Sequence, residues 1–206
     1  MAKDYPWNDG HRTEYYAAVG YLSQQWNVLE WLYCHRASEI MGLKRSQHDL
    51  IFRHLGIVSI GLFMDEYAES HIKSAAIREQ VAYVTKFVHA CRVNRNAIIH
   101  GRAREDSDLT AIKLLSKADQ RRPKTTEFSI SIDDIERVCS DIEMAGRLTV
   151  ALSFLFLKKG RVKLAKELLG SDWRSRLHAK APPPQPVRVG PPKPQKQQHR
   201  AKSSSA

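Results

Sequence analysis

Residues 74–101 read SAAIREQVAYVTKFVHACRVNRNAIIHG. Val81, Val84, Val88, Cys91 and Ile98 recur at helical spacing, so this stretch predicts one long helix with a continuous apolar stripe. Ser74 stands where a helix begins, and Gly101 stands where an α-helix ends on a left-handed residue. The last turns are unusual. Two arginines, two asparagines and a histidine crowd into RVNRNAIIH, residues 92–100. Such a group either closes a helix or does chemistry.

The flanking sequence is helical too. Tyr15, Val19, Leu22, Trp26, Leu29, Tyr33 and Ile40 form one face of a helix over about 13–41, with a gap at Arg36 and Ala37. The stretch MGLKRS breaks it. Ser46 with Asp49 resembles a capping box opening a second helix, about 46–69, with Leu50, Leu55, Val58 and Leu62 as its core face. Gly56 and Gly61 weaken that helix locally or admit a close neighbour.

After residue 101 the period changes. TAIKLL (110–115) and TEFSISI (126–132) are short and rich in β-formers, which predicts a β-hairpin over about 109–132. Asp133 with Glu136 then predicts the cap of a fourth long helix, reaching about residue 159, with Ile135, Val138, Ile142, Ala145, Leu152 and Phe156 inward. VALSFLFL, residues 150–157, is apolar nearly all round, as in a helix buried on several sides or at a subunit interface. An amphipathic piece follows at 161–178. The expected fold is therefore mostly α: an up-and-down bundle of four main helices, with a β-hairpin inserted before the last long one. The helical domain takes residues 1–178. Residues 179–206 hold seven of the nine prolines and are expected to form a disordered, basic Pro/Lys-rich tail.

Charge and composition narrow the function classes. The chain carries +11. Eight Lys/Arg and no Asp/Glu follow Arg174 inclusive, so +11 less eight leaves +3 for residues 1–173. The basic character lies mainly in the tail, which weakly suggests a polyanion as partner. The tail has no aromatic residue to stack on bases, so binding there would be non-specific. The amino-terminal residues show no signal peptide and no run approaches a membrane span, so a cytoplasmic protein without a membrane partner is expected. Cys34, Cys91 and Cys139 are far apart and show no metal spacing with the nine histidines. They read as buried packing, and no metal or cofactor is expected.

On a helix, His89, Arg92, Asn96 and His100 share a stripe, while Arg95 points about 140° from His100. His100 ends the helix and so can meet the Arg95 guanidinium past the last turn. These groups suit RNA cleavage without a metal. Histidine moves protons near neutral pH, arginine holds phosphate oxygens as charge builds, and an amide positions the ribose or phosphate.

The same residues carry a resemblance. Arg95, Asn96, then Ala97-Ile98-Ile99 and His100 resemble the Arg-polar-x3-His motif of the HEPN superfamily. SQQWNVLEWLY, residues 23–33, resembles the first helix of many bacterial HEPN-like proteins. The resemblance covers about 13–160. It implies a helical bundle, a homodimer whose motifs face each other and, for many members, metal-independent RNA cleavage in defence or toxin systems, some with a cognate antitoxin. Other members only bind. Carried over, His100 is the acid/base, Arg95 the phosphate-stabilising group and Asn96 the positioning group. Arg92 and Arg102 contact substrate, and Glu30 orients an arginine in support. Members paired with nucleotidyltransferase antitoxins often have Tyr two residues after the His. Here that residue is Arg102, so their modification mechanism does not transfer.

The alternative is a non-catalytic helical interaction protein. In that reading residues 92–101 are a packed helix end, Glu30 is a structural ion pair with Arg92 or Arg95, and the 150–157 run meets a partner.

Overall fold

The computed structural model describes residues 10–52, 54–100, 102–103, 112–117, 125–156 and 184. The protein is mostly helical. Helices α1 (Gly10–Ile40), α2 (Arg45–Phe52), α3 (Ile57–His71), α4 (Ala75–Ile99) and α5 (Ile132–Phe156) follow in order. Between α4 and α5 the backbone pairs antiparallel along β1 (Arg102–Ala103), β2 (Ile112–Lys117) and β3 (Thr125–Ile130), in the order β1-β2-β3. Leu114 lies opposite Phe128, and Arg102 opposite Leu115. The loop of the expected 109–132 hairpin lies outside the described residues, as do the 161–178 piece and, except for Pro184, the 179–206 tail.

The long stripes behave as their periods require. On α1, Tyr15, Leu22, Trp26, Leu29, Tyr33, Ala37 and Ile40 are buried, with Val19 packed beside them. The gap is bridged by Ala37, small enough to keep the face continuous. On α4, Val81, Val84, Phe87, Val88, Cys91 and Ile98 are buried. On α5, Ile135, Val138, Ile142, Ala145, Leu148 and Leu152 are buried, and Phe156 packs partly. Helix α1 packs chiefly on α5, and α4 lies against both α5 and α3. Four successive residues, Ala151–Phe154, are buried within the chain itself, so these four are not the exposed face the interaction reading needs.

Two caps differ from expectation. Helix α5 is capped by Ser131, not Asp133. The Asp134 N–H donates to Ser131 Oγ at 3.1 Å, and the Ser131 N–H donates back to Asp134 Oδ2 at 3.1 Å. This reciprocal box starts two residues earlier than predicted and leaves Asp133 exposed. Ser46 lies inside α2, whose start is closed instead by the Lys44 N–H donating to Gln47 Oε1 at 2.8 Å. Helix α1 ends as MGLKRS suggested. Gly42 has φ 68°, the Leu43 N–H donates to Ser38 O and the Gly42 N–H to Glu39 O. Ser74 caps α4, accepting from the Ile77 N–H at 3.4 Å.

The expected second helix is not continuous. It breaks between Phe52 and Ile57, where Gly56 adopts an extended conformation with ψ 162°. The break resets the helical phase. Ile57, Ile60, Met64 and Ala68 turn inward, while Leu50 and Leu62 of the expected core face are 68% and 61% exposed and Val58 is also exposed. Both stripes have helical spacing. The inward one also contains buried Gly61, which lets α3 approach α4 closely: a Cβ there would stand 2.9 Å from Thr85 Cγ2.

Candidate functional site

The break before α3 builds a cleft. Its walls are the middle of α1 (Trp26, Asn27, Glu30), the first turn of α3 (Gly56, Ile57, Val58) and the end of α4 (Arg92, Arg95, Asn96, His100). It encloses about 350 Å³ and is lined by polar and apolar surface in similar amounts. Five expected site residues (Arg92, Arg95, Asn96, His100 and Glu30) thus line one cavity. Arg102 is in β1, whose side chains lie outside the described residues.

Arg95 is held by packing as well as by a polar contact. Arg95 Cζ stands 5.9 Å from the centre of the Trp26 ring, which is itself buried in the core. Arg95 Nη1 donates to Asn96 Oδ1 at 2.9 Å. The ring and the amide fix the guanidinium in the wall of the cleft. Arg95 therefore reaches the Trp26 ring of α1 while still lining the cavity. The Nε atoms of Arg92 and Arg95 are buried and have no acceptor among the described residues. A buried unmatched donor is costly, and a charged one more so.

No ion pair within 4.0 Å joins Glu30 to either arginine among the described residues. The expected pairing is therefore absent, although Glu30 shares the cleft with both. Its carboxylate offsets part of the guanidinium charge and leaves the cleft cationic. His100 is the C-terminal cap residue of α4. Its backbone N–H donates to Asn96 O at 3.0 Å, and its side chain is exposed at the rim. The imidazole is open to solvent and no side-chain bond ties it into the helix end among the described residues. Gly101 lies outside the described residues.

Helix α3 contributes what the sequence reading missed. Gly56 gives its first turn no side-chain cap, and this turn opens on the arginines. Uncapped N–H groups at a helix start favour an anion, and two guanidiniums beside them reinforce that preference. The glycine was visible in the sequence as a weak point, but its place opposite Arg95 was not. Asn94, between the two arginines in sequence, is buried and does not line the cleft.

Other reactive groups are remote or inert. Burial pushes the thiols of Cys34 and Cys91 up to about 12 and that of Cys139 to about 11, so none is a thiolate at neutral pH. Among the described residues no group of three His, Cys, Asp or Glu could hold a metal ion. No helix among them is long and apolar enough to cross a membrane.

The cleft offers fixed cationic donors, an amide and an accessible imidazole at the end of one helix. That set can bind a phosphate and move a proton beside it. Comparison of the chain with family models, with curated proteins and with solved structures returned no match to any of them.

Proposed function

We propose that the protein is a HEPN-like RNA-binding or metal-independent RNA-cleaving protein of a defence or toxin type. It would act as a homodimer in the cytoplasm, as an up-and-down helical bundle with the 109–132 hairpin as an accessory element. One observation carries this reading: Arg92, Arg95, Asn96 and His100 meet at a single cleft, with an uncapped helix start on its opposite wall. In the reaction His100 takes the proton of a ribose 2′-OH. The 2′-oxygen bonds to phosphorus and the bond from phosphorus to the 5′-oxygen breaks. The leaving oxygen takes a proton from solvent, and the products are a 2′,3′-cyclic phosphate and a 5′-OH. Arg95 and Arg92 hold the non-bridging oxygens as their charge grows, Asn96 fixes Arg95, and Arg102 extends the contact along the strand.

The test is cleavage of cellular RNA with EDTA present, comparing wild type with His100→Ala. Cyclic phosphate ends from wild type alone support the proposal. Equal products from both proteins, or none from either with both folded, overturn the catalytic part. RNA binding that Arg95→Gln abolishes would still support the binding part.

A second reading has its own observation. Trp31 is 63% exposed on α1, with Val28 exposed one turn before it, and a cleft of about 450 Å³ lies nearby between α1 and α5. Large exposed apolar side chains of this kind mark protein contacts. A non-catalytic interaction protein would use this face, and Trp31→Ser would then abolish partner capture while leaving the 92–100 cleft intact.

A further inference from the structure

The arginine cleft does not end at Arg92. A second cavity of about 480 Å³ adjoins it and shares Ile57, Val58 and Arg92 as lining residues. Its chemistry is different. Its surface is mostly apolar, with Leu62 and Val88 as further walls. A small polar group lies at one side: Tyr33 Oη and Thr85 Oγ1, 3.1 Å apart. Lys86 and His89 stand at its exposed edge. Along α4 the stripe Thr85, Val88/His89, Arg92, Arg95/Asn96, His100 therefore runs through both cavities, a length of about 22 Å.

We infer that the two cavities form one bipartite nucleotide site: the arginine cleft takes the phosphate, and the apolar trough takes the base attached to the same ribose. This rests on the RNA reading above and names its subsite. Three features select a nucleotide over a bare anion or an apolar ligand. The cationic and apolar compartments are contiguous, as a phosphate and a base are. Arg92 stands at their junction and His89 one turn before it, and a guanidinium plane or an imidazole can stack on a base. The hydroxyls of Tyr33 and Thr85 retain acceptor lone pairs for the polar edge of a base. A concave trough of this kind admits an unstacked base and not a paired one, so the substrate is single-stranded.

The experiment uses the full chain and three probes: adenosine 3′-monophosphate, adenosine and inorganic phosphate, titrated by amide chemical-shift change. The variants are Leu62→Ser, at an exposed position on the trough wall, and Arg95→Gln, with Arg92→Gln as its substitute should it melt early. The nucleotide should bind about tenfold or more tighter than phosphate, because the base adds stacking and apolar burial. Leu62→Ser should weaken the nucleotide several-fold and leave phosphate unchanged, while the arginine variants should weaken both. If the nucleotide binds no better than phosphate, or Leu62→Ser leaves it unchanged, the base subsite is overturned and the anion cleft stands. If neither phosphate-bearing probe binds the folded protein, the cleft reading falls with it.

Discussion

Gly61 offers a quantitative test of how α3 seats on α4, and hence of the trough. Alanine at this position would place its Cβ 2.9 Å from Thr85 Cγ2, closer than carbon atoms tolerate, and 3.7 Å from Tyr33 Oη, an ordinary contact. The methyl that must yield belongs to a β-branched residue, whose χ1 is stiff. Rotating it would break the 3.1 Å hydrogen bond between Thr85 and Tyr33. Overpacking of this kind costs about 1–3 kcal/mol. Against it, replacing a mid-helix glycine by alanine gains about 0.5–1 kcal/mol. Gly61→Ala should therefore be destabilising, by about 1 kcal/mol. Thr85→Ser removes the obstructing methyl and keeps the hydroxyl. In that background Gly61→Ala should become stabilising, by about 0.5–1 kcal/mol from the helix effect alone. The double-mutant cycle should show a coupling of about 1–3 kcal/mol. Urea melts of the four proteins measure it. A Gly61→Ala that stabilises equally in both backgrounds would refute the close approach of α3 to α4 and the shape of the trough between them.

Further outcomes follow from other parts of the molecule. His100→Ala should change stability by less than about 0.5 kcal/mol, since its side chain is exposed, while abolishing any RNA cleavage; denaturation and a gel assay on the same preparation check both. Ser131→Ala should cost about 1 kcal/mol in a urea melt by removing the α5 cap. Burial opposes ionisation of Asp134, but the Ser131 N–H and hydroxyl and Arg137 outweigh it and lower its pKa. Its contribution is therefore present above the ordinary value of 3.8, fades as pH falls through the lower folded value, and should vanish from the pH–stability curve of Asp134→Asn. Asp65 goes the other way: burial raises its carboxyl, with Thr85 and Lys86 opposing. Folding then loses stability as pH rises from 3.8 through the raised value, so Asp65→Asn should melt higher than wild type at pH 7, and the gain should disappear below pH 3.8. All three thiols should react slowly with iodoacetamide in the native protein and rapidly in urea.

The helices α1, α4 and α5 were legible because each carries one long stripe at a single phase. Tyr15 to Ile40, Val81 to Ile98 and Ile135 to Leu152 leave no choice of which side to bury. Arg95, Asn96 and His100 were legible as a group because residues on one helix end are local. Their chemical types could be read without knowing what they face. The second expected helix was not legible in the same way. Leu50, Leu55, Val58 and Leu62 compete with Ile57, Ile60, Met64 and Ala68, and both sets have helical spacing. The break at Gly56 and the small side at Gly61 decided between them, because only that face lets α3 close on α4. The rest of the cleft was decided by tertiary structure alone. Trp26 meets Arg95 across 69 residues of chain, and the start of α3 meets both arginines across more than 30. Periodicity reports the face a helix turns inward. It does not report which neighbour stands there, since that follows from how all the helices together exclude water.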